Sequence, residues 1–566
     1  MFVKSINSTS SDVPQKKNQI RHQVQKKLQR AHQLYGKQEF RAAEVLYQQV
    51  LRRDPTNPDA LLTLVAIYLQ PPQRFEQAAQ MLKRLVDAYP GEPSYCQNYA
   101  NVMMQLGKPD AAISCIRRLL SYNPDLTDIR YNLARLLKNT GKLDEALTEY
   151  QKTLSAGISR PEEVHSNISI ILSDLNRTDE ARLALKQALA LNPDYEPALY
   201  NLAQLEEENG HWDMARKLFE HILLNNPDHC DAMVRLAEGG KIDSSDPLVD
   251  RLKQALVRDN CDDLDREKLN FALGKVHDEW AEYEAAFKYY KQGNFCSQYR
   301  VGVYDAAGQE ALSKELMEIF PALSGLKHIQ PVSDAAPIFI CGMFRSGSTL
   351  IEQMLAAHPG VSAGGEISYF ARRVPLPESL ISVDKIDFQE IGKTYLDYLE
   401  SNFPGVARVT NKRPDNFLYL GLILSLFPNA KIIHTTRQAL DNCLSVFFQP
   451  LATQYKYSNG LLDIGHFYIQ YQRLMNHWRV AFPNRIIDVH YDELVLNPRG
   501  VLDPVLSFLG LDWDDRCLNF YEVENRVRTA SVWQVRQPLH ENSSGRWQNY
   551  ASELGQLHQY LSAAEF

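Results

Sequence analysis

The first half of the chain repeats a pattern of small residues with a period of 34 or 35 residues. Alanines that share one place in this pattern are Ala43, Ala78, Ala112, Ala146, Ala181 and Ala215. Twelve residues before each lies a second small residue, and twelve residues after most of them lies a proline. Two helices pack closely where both present small side chains, and proline ends a helix because it lacks a backbone donor. The pattern predicts six stacked helix pairs over about 24–230.

This period resembles the tetratricopeptide repeat (TPR), which implies an α-helical TPR superhelix. The stretch 265–297 keeps the helix–turn–helix rhythm and is predicted to be a diverged unit. An asparagine also recurs two residues before the small residue of the first helix, at Asn98, Asn132, Asn167 and Asn201. The TPR array of the nucleocytoplasmic O-linked sugar transferase is similar, which implies that these amides hold an extended polypeptide. The alternative is that they form only local hydrogen bonds.

A different pattern begins after residue 336. The apolar run PIFICGM is followed by the loop FRSGST and the amphipathic segment LIEQMLAAH, which predicts a strand, a loop and a helix. The loop has the Walker A spacing of glycines, but Ser348 stands where the lysine of nucleotide-triphosphate enzymes belongs. A helix N-terminus behind glycines binds anions. The loop therefore indicates a phosphate site, and Ser348 argues against a P-loop kinase or NTPase.

Four further short apolar stretches alternate with helical segments, which predicts an α/β domain with a central parallel sheet. These predicted strands are VSAGGE at 361–366, ARVTNK at 407–412, KIIHTTR at 431–437 and RIIDVHY at 485–491. Ligands of such sheets bind at the carboxyl ends of the strands. The polar residues expected at that edge are Arg345, Glu366, Lys412 and Arg437.

Four motifs of this half resemble sulfotransferases that use 3′-phosphoadenosine 5′-phosphosulfate (PAPS). FRSGSTLIEQMLAAHPGV with GGE is similar to their 5′-phosphosulfate loop, and IIHTTRQALDNCLSVF to their 3′-phosphate motif. VHYDELVLNP is similar to a strand of the family, and TASVWQVRQPLHENSSGRWQNY to a late segment that closes over the nucleotide. The most similar branch contains protein-tyrosine sulfotransferases and TPR–sulfotransferase fusions.

The resemblance implies roles for individual residues. Glu366 is implied as the catalytic base, while Arg345 and Lys412 stabilise the leaving phosphate. The residues implied to bind PAPS are Arg345, Ser346, Gly347, Ser348, Thr349, Arg437, Ser445 and Arg546. No metal is implied. The residues themselves leave open that Glu366 pairs with a loop arginine such as Arg372, and that Lys412 is a solvated strand end.

The expected organisation is an N-terminal tail (1–23), a TPR array (24–300), a connecting segment (301–335), a P-loop-like sulfotransferase domain (336–552) and a C-terminal tail (553–566). The net charge of −8 argues against bulk binding of nucleic acid, and no apolar run is long enough to span a membrane. Eight scattered cysteines and the lack of a signal sequence predict a cytoplasmic protein.

The predicted function is PAPS-dependent sulfuryl transfer to an acceptor hydroxyl, with the TPR array recruiting a polypeptide acceptor or a partner protein. Protein tyrosine is one candidate acceptor, although ISYFARRVP after Glu366 lacks the acidic and arginine string of the tyrosine-specific branch. The alternative is a TPR scaffold with an inactive nucleotide-binding domain. The sequence does not indicate the oligomeric state.

Overall fold

The computed structural model describes residues 12–320, 331–333, 335–376, 387–406, 408–522, 534–539 and 544–564. The chain divides into two compact units, Met1–Asn201 and Leu202–Phe566. The predicted fold class, a TPR array followed by an α/β domain with a parallel sheet, is confirmed. Among the described residues, no helix combines the length and the apolar character needed to cross a membrane.

The first unit is built from helix pairs. Its helices are α1 (Asp12–Gly36), α2 (Phe40–Leu51), α3 (Pro58–Tyr68), α4 (Phe75–Ala88), α5 (Pro93–Gln105), α6 (Pro109–Tyr122), α7 (Thr127–Asn139), α8 (Leu143–Ser155), α9 (Pro161–Asp174) and α10 (Thr178–Leu191). The repeated alanines of the second helices, such as Ala43 and Ala112, are fully buried, as close helix packing requires. Helix α1 begins inside the range that the sequence analysis assigned to a tail.

The helical pattern continues into the second unit. Its helices before the sheet are α11 (Glu196–Glu208), which begins in the first unit, α12 (Trp212–Asn225), α13 (Cys230–Gly239), α14 (Pro247–Leu256), α15 (Asp263–Glu279), α16 (Tyr283–Val301) and α17 (Ala306–Ile319). The pair α13–α14 was not predicted. Ala237 keeps the small residue of the first helix, but the matching place in the second helix holds the buried Val249 instead of alanine.

The sheet of the second unit has five parallel strands in the order β2-β3-β1-β4-β5. The strands are β1 (Ile338–Gly342), β2 (Ser362–Ala363), β3 (Val409–Lys412), β4 (Lys431–Thr436) and β5 (Ile486–His490). Each lies within a predicted strand. After β1 the chain continues on one side of the sheet and after β4 on the other, so the connections that leave the carboxyl ends of β1 and β4 run in opposite directions. This divergence creates the crevice where such sheets bind ligands.

Helices cover both faces of the sheet. They are α18 (Ser348–Ala356), α19 (Tyr369–Arg373), α20 (Phe388–Asn402), α21 (Leu420–Leu426), α22 (Ala439–Phe447), α23 (Leu461–Ala481), α24 (Tyr491–Leu496), α25 (Pro498–Phe508) and α26 (Gly555–Ser562). Short 3₁₀ helices occur at Pro414–Tyr419, Lys456–Asn459, Asp515–Glu522, Gln534–Arg536 and Arg546–Tyr550. Alternate residues of β1 point to opposite faces: Phe339 joins the core beneath α20–α23, and Ile340 joins the core beneath α18 and α25.

The first of these cores extends beyond the sheet and its covering helices. Ala286 and Tyr290 of α16 and Leu316 of α17 belong to the same buried cluster as Phe339, and so does Leu557 of α26. Residues on both sides of the predicted boundaries at 300 and 552 therefore contribute to one core.

Candidate active site

The loop between β1 and α18 is fixed on several sides. Gly347 caps α18 with a φ of 99°, and a Cβ atom there would lie 2.7 Å from the ring of Tyr491. Only glycine accepts both this backbone conformation and this close approach. The Asn442 side chain donates to the Phe344 carbonyl at 2.8 Å, and the Ser346 hydroxyl is 2.7 Å from that of Thr435. The loop is thus held in place with the N-terminus of α18 directed at the crevice.

Two arginines meet beside this loop. Arg345 Nε donates to Ser445 Oγ at 3.2 Å, and Arg437 donates to the Arg345 carbonyl at 3.4 Å. The Arg437 guanidinium also lies 5.0 Å from the centre of the Tyr491 ring. Burial, together with the neighbouring charge of Arg437, lowers the pKa of Arg345 to about 10. Burial likewise lowers the pKa of Arg437. In both arginines the main cause of the shift is burial, which disfavours the charged guanidinium.

A third arginine enters from the C-terminal part of the chain. Arg546 begins a 3₁₀ helix whose backbone is held by Asp441 of α22, which accepts from Gly545 N at 2.6 Å and from Trp547 N at 2.8 Å. The Arg546 side chain is paired with Asp278. Burial opposes the charge of Arg546, but Asp278 together with Tyr290 and Tyr550 outweighs burial, and the pKa of Arg546 is raised.

These groups surround a cavity of about 360 Å³. The predicted site residues that line it are Arg345, Gly347, Ser348, Thr349, Glu366, Arg437, Ser445 and Arg546. Ser346 and Lys412 are not among its lining residues: the Ser346 hydroxyl is engaged by Thr435, and Lys412 lies behind Glu366. The structure thus brings most of the predicted donor-site residues to one cavity.

Glu366 and Lys412 form an ion pair at the edge of this cavity. The Lys412 ammonium donates to Glu366 Oε1 at 2.7 Å, and the lysine side chain is 1% exposed while that of the glutamate is 43% exposed. Lys412 is therefore not a solvated strand end, and the pairing partner of Glu366 is Lys412. A buried ammonium costs free energy unless it is paired, so the Glu366 carboxylate stabilises the buried Lys412.

Two ionisable residues beside this pair were missed by the sequence analysis. Glu352 of α18 is 3% exposed, and its carboxylate accepts from Thr410 at 2.8 Å and from Gly365 N at 3.1 Å. It thereby holds the residue before Glu366, and burial raises the pKa of Glu352. Arg413 lines the cavity and is clamped by Asp415 at 2.7 and 2.8 Å. The sequence signal for Glu352 is a carboxylate in the mostly apolar segment LIEQMLAAH, and this signal does not indicate its partner.

The repeated asparagines of the first unit connect neighbouring helix pairs. Asn132 donates to Gln97 at 3.5 Å, Asn167 to Tyr131 at 3.1 Å, and Asn201 to Ser166 at 3.1 Å. Asn167 also accepts from Lys138 at 2.7 Å. Asn98 is exposed. Three of the four asparagines thus donate to side chains of the preceding helix pair, and the binding of a polypeptide by this row stays a prediction.

In the part of the chain that the structure describes, no three or more His, Cys, Asp or Glu side chains are grouped so that they could hold a metal ion. The site combines a glycine loop, a helix N-terminus and four cavity-lining arginines at the carboxyl edge of a parallel sheet. The fold and the site together define an α/β domain with a P-loop-like strand, loop and helix at the edge where such sheets bind ligands.

Family models identify both parts of the chain. The model described as "Sulfotransferase family" matches residues 337–515, and the "Tetratricopeptide repeat" model matches 34–99, 72–126, 103–157 and 172–239. The chain therefore joins tetratricopeptide repeats to a domain of the sulfotransferase family, and both predicted resemblances are confirmed.

Individual proteins are similar to one or both parts. An uncharacterized protein of Aquifex aeolicus is 27% identical over 85% of this chain, and a protein-tyrosine sulfotransferase of Drosophila melanogaster is 26% identical over 37% of it. The chain covers 66% and 46% of the lengths of these relatives. A solved sulfotransferase domain from the Synechococcus olefin synthase is 22% identical, with a TM-score of 0.31 over 42% of this chain and 98% of that domain.

Proposed function

We propose that the second unit catalyses PAPS-dependent transfer of a sulfuryl group to an acceptor hydroxyl. The observation that carries this proposal is the meeting of Arg345, Arg437 and Arg546 around one cavity that also holds Glu366. Each guanidinium presents N–H groups in a planar fork that suits phosphate oxygens. A chain with a net charge of −8 that brings these three arginines and Arg413 to one cavity fits a small polyanion there.

The residues fit the anionic groups of PAPS one by one. The N-terminus of α18, with the hydroxyls of Ser348 and Thr349, faces the cavity and offers donors to a 5′-phosphosulfate. Arg345 shares this end. Arg437, Ser445 and Arg546 would hold the 3′-phosphate. Ser346 contributes through the loop backbone, because its hydroxyl is engaged by Thr435. Bound here, PAPS would supply an activated sulfuryl group.

Glu366 and Lys412 have different roles in the proposed reaction. The partly exposed Glu366 carboxylate accepts the proton from the acceptor hydroxyl, which makes the oxygen nucleophilic. Arg345, which lines the cavity, offers hydrogen bonds to the oxygen of the leaving phosphate, and the buried Lys412 ammonium adds positive charge behind Glu366. The 2.7 Å contact between Lys412 and Glu366 holds the Glu366 carboxylate in place at the cavity before the acceptor arrives.

The TPR array would recruit the acceptor or a partner protein. TPRs mediate protein interactions, and the amide row from Asn98 to Asn201 is a candidate place for a polypeptide. The amides of Asn132, Asn167 and Asn201 already bridge neighbouring repeats, so a peptide would bind to an amide row that is fixed in orientation. Protein tyrosine is one candidate acceptor, since relatives carry that activity in their names.

The donor site is tested first. The purified protein is titrated by calorimetry with 3′,5′-adenosine bisphosphate and, separately, with ATP and Mg²⁺, and both titrations are repeated with Arg437→Ala. Binding of the bisphosphate that is lost in the variant supports the proposal and justifies an acceptor screen with labelled PAPS. A preference for ATP, or no bisphosphate binding by the unaltered protein, would contradict it.

A further inference from the structure

The arginine that completes the donor cavity is held by a helix of the repeat region. Asp278 lies in the last turn of α15, and its carboxylate accepts from the Arg546 guanidinium through one oxygen and from the Tyr550 hydroxyl through the other. The side chains of Asp278 and Arg546 are 14% and 29% exposed. The contact joins residues 268 positions apart in the sequence, so no local motif predicts it.

The helix pair that carries Asp278 is firmly attached to the elements around Arg546. The Tyr290 ring of α16 stacks on Phe448 with centroids 3.9 Å apart, and Tyr283 packs on Tyr550 at 5.3 Å. Asn294 of α16 donates to the Phe447 carbonyl at 2.8 Å. The Arg546 guanidinium lies 5.1 Å from the centre of the Phe448 ring. Asp278 is therefore presented to Arg546 from a rigid support.

The backbone and the side chain of Arg546 have separate anchors. Asp441 accepts from the amides of Gly545 and Trp547 and holds the turn itself. Within Arg546, Asp278 contacts the guanidinium and not the backbone, so it decides where the charge of Arg546 points within the cavity. Without it, a long side chain beside two other buried arginines would be repelled toward solvent.

We propose that Asp278 is a positioning residue of the donor site, which directs Arg546 toward the 3′-phosphate and makes the last repeat-like helix pair part of that site. The inference rests on the proposed function, because it takes the 3′-phosphate of PAPS as the ligand of Arg546. It assigns to α15 a task in nucleotide binding that is separate from any recruitment of a partner.

Calorimetry with two nucleotides tests this role. The full-length protein and its variants Asp278→Asn, Arg546→Ala and the double variant are titrated with 3′,5′-adenosine bisphosphate and with 5′-AMP, which lacks the 3′-phosphate. Loss of a charge-assisted hydrogen bond corresponds to about a tenfold or greater weakening. We expect Asp278→Asn and Arg546→Ala each to weaken bisphosphate binding by about that factor and to leave 5′-AMP binding unchanged. The double variant should be no weaker than Arg546→Ala.

The neighbouring Glu279 provides a matched control. Glu279→Gln removes the same charge from the same helix end, but Glu279 pairs with Lys275 at 2.7 Å and not with Arg546. It should bind both nucleotides as the unaltered protein does. Asp278→Glu, which keeps the charge but shifts the carboxylate, is the second variant if Asp278→Asn does not fold, and should also weaken only bisphosphate binding.

Three results would overturn the inference: unchanged or tighter bisphosphate binding by Asp278→Asn, equal weakening for both nucleotides, or additive effects in the double variant. Each presupposes that the unaltered protein binds the bisphosphate and that Arg437→Ala does not. If the unaltered protein fails to bind it, the proposed function itself is wrong, and the two failures are thereby distinguished.

Discussion

At the scale of single residues, the pairing of Lys412 with Glu366 is the most consequential contact of the site. The lysine is almost fully buried, and its charge depends on the glutamate for compensation. The glutamate remains partly exposed and lies in the cavity wall. An exposed carboxylate with a buried cationic partner can exchange a proton with a ligand while the ammonium stays in place. The two catalytic roles proposed for Glu366 and Lys412 therefore fall on side chains that are in direct contact.

Replacing Glu366 by glutamine tests this arrangement. The amide still accepts from Lys412 but cannot take a proton, so transfer of labelled sulfate from PAPS to the acceptor found by the screen should fall by about 10²–10⁴-fold. Bisphosphate binding, measured by calorimetry, should stay within about twofold, and Glu400→Gln, on the exposed side of α20, is the control for a lost carboxylate. Activity within about tenfold of the unaltered protein would remove Glu366 from the role of base.

What the sequence could predict differs by residue. The loop residues Arg345 and Ser348 follow from a local motif, and the structure places them where strand, loop and helix require. Asp278 and Glu352 could not be found in this way. Their partners lie 268 and 58 positions away. The sequence around an aspartate or glutamate on a helix does not show its function, because only the fold brings the partner close.

At the scale of elements, the turn into α18 depends on one glycine. Gly347→Ala places a side chain at a φ of 99° and against the Tyr491 ring. The backbone strain and the clash together should lower the free energy of unfolding by about 1–3 kcal/mol. Bisphosphate binding should also weaken, because the loop must shift. Gly405 also has a positive φ, of 71°, but open space around it. Gly405→Ala should cost only the strain and leave binding intact; equal losses of binding in both would contradict the argument. Urea unfolding and calorimetry measure the two effects.

Strand β4 contains a buried histidine that links stability to pH. His434 Nδ1 lies 2.5 Å from Asp488, whose carboxylate also pairs with Arg479 at 2.7 Å, and His434 Nε2 contacts the Tyr471 hydroxyl. Burial lowers the pKa of His434, and the Asp488 contact only partly offsets it. Burial disfavours the Asp488 carboxylate, but His434 and Arg479 outweigh this and lower its pKa.

The direction of the pH effect follows from these shifts. Below the ordinary histidine pKa of about 6.5, the unfolded chain binds a proton that folded His434 refuses, so stability falls as the pH drops through this window. A second loss, from Asp488, begins below about pH 3.9. His434→Gln should therefore lower the melting temperature at pH 7.5 but flatten its dependence between pH 7 and 5.5. His490→Gln, on the exposed end of β5, should keep the slope of the unaltered protein. An unchanged slope in His434→Gln would contradict this assignment.

At the scale of the whole molecule, the repeat-like helices and the sheet domain are not independent within the second unit. Tyr290 and Ala286 of α16 lie in the same core as Phe339 of β1 and Leu420 of α21. Arg536, next to the cavity-lining Val535, donates to the Glu208 carbonyl at the end of α11, at 3.2 Å. The late segment that lines the donor cavity is thus in contact with repeat helices at two places, through Arg536 and Arg546. A change in the geometry of these helices would therefore alter the shape of the cavity.

Two truncations measure how far the catalytic core extends. A chain of residues 303–566 keeps the predicted sulfotransferase domain but lacks α15 and α16, with Tyr290, the Asn294 hydrogen bond and Asp278. Loss of one buried aromatic side chain costs about 3–5 kcal/mol, comparable to much of a domain's total stability. We therefore expect this chain to be insoluble or to lack a cooperative urea transition. A chain of residues 228–566 retains α13–α17 and should unfold cooperatively and bind the bisphosphate. If 303–566 unfolds at the same urea concentration as 228–566, then α15 and α16 are not part of the core, and their packing against Phe448 and Tyr550 would be a contact between separately stable parts.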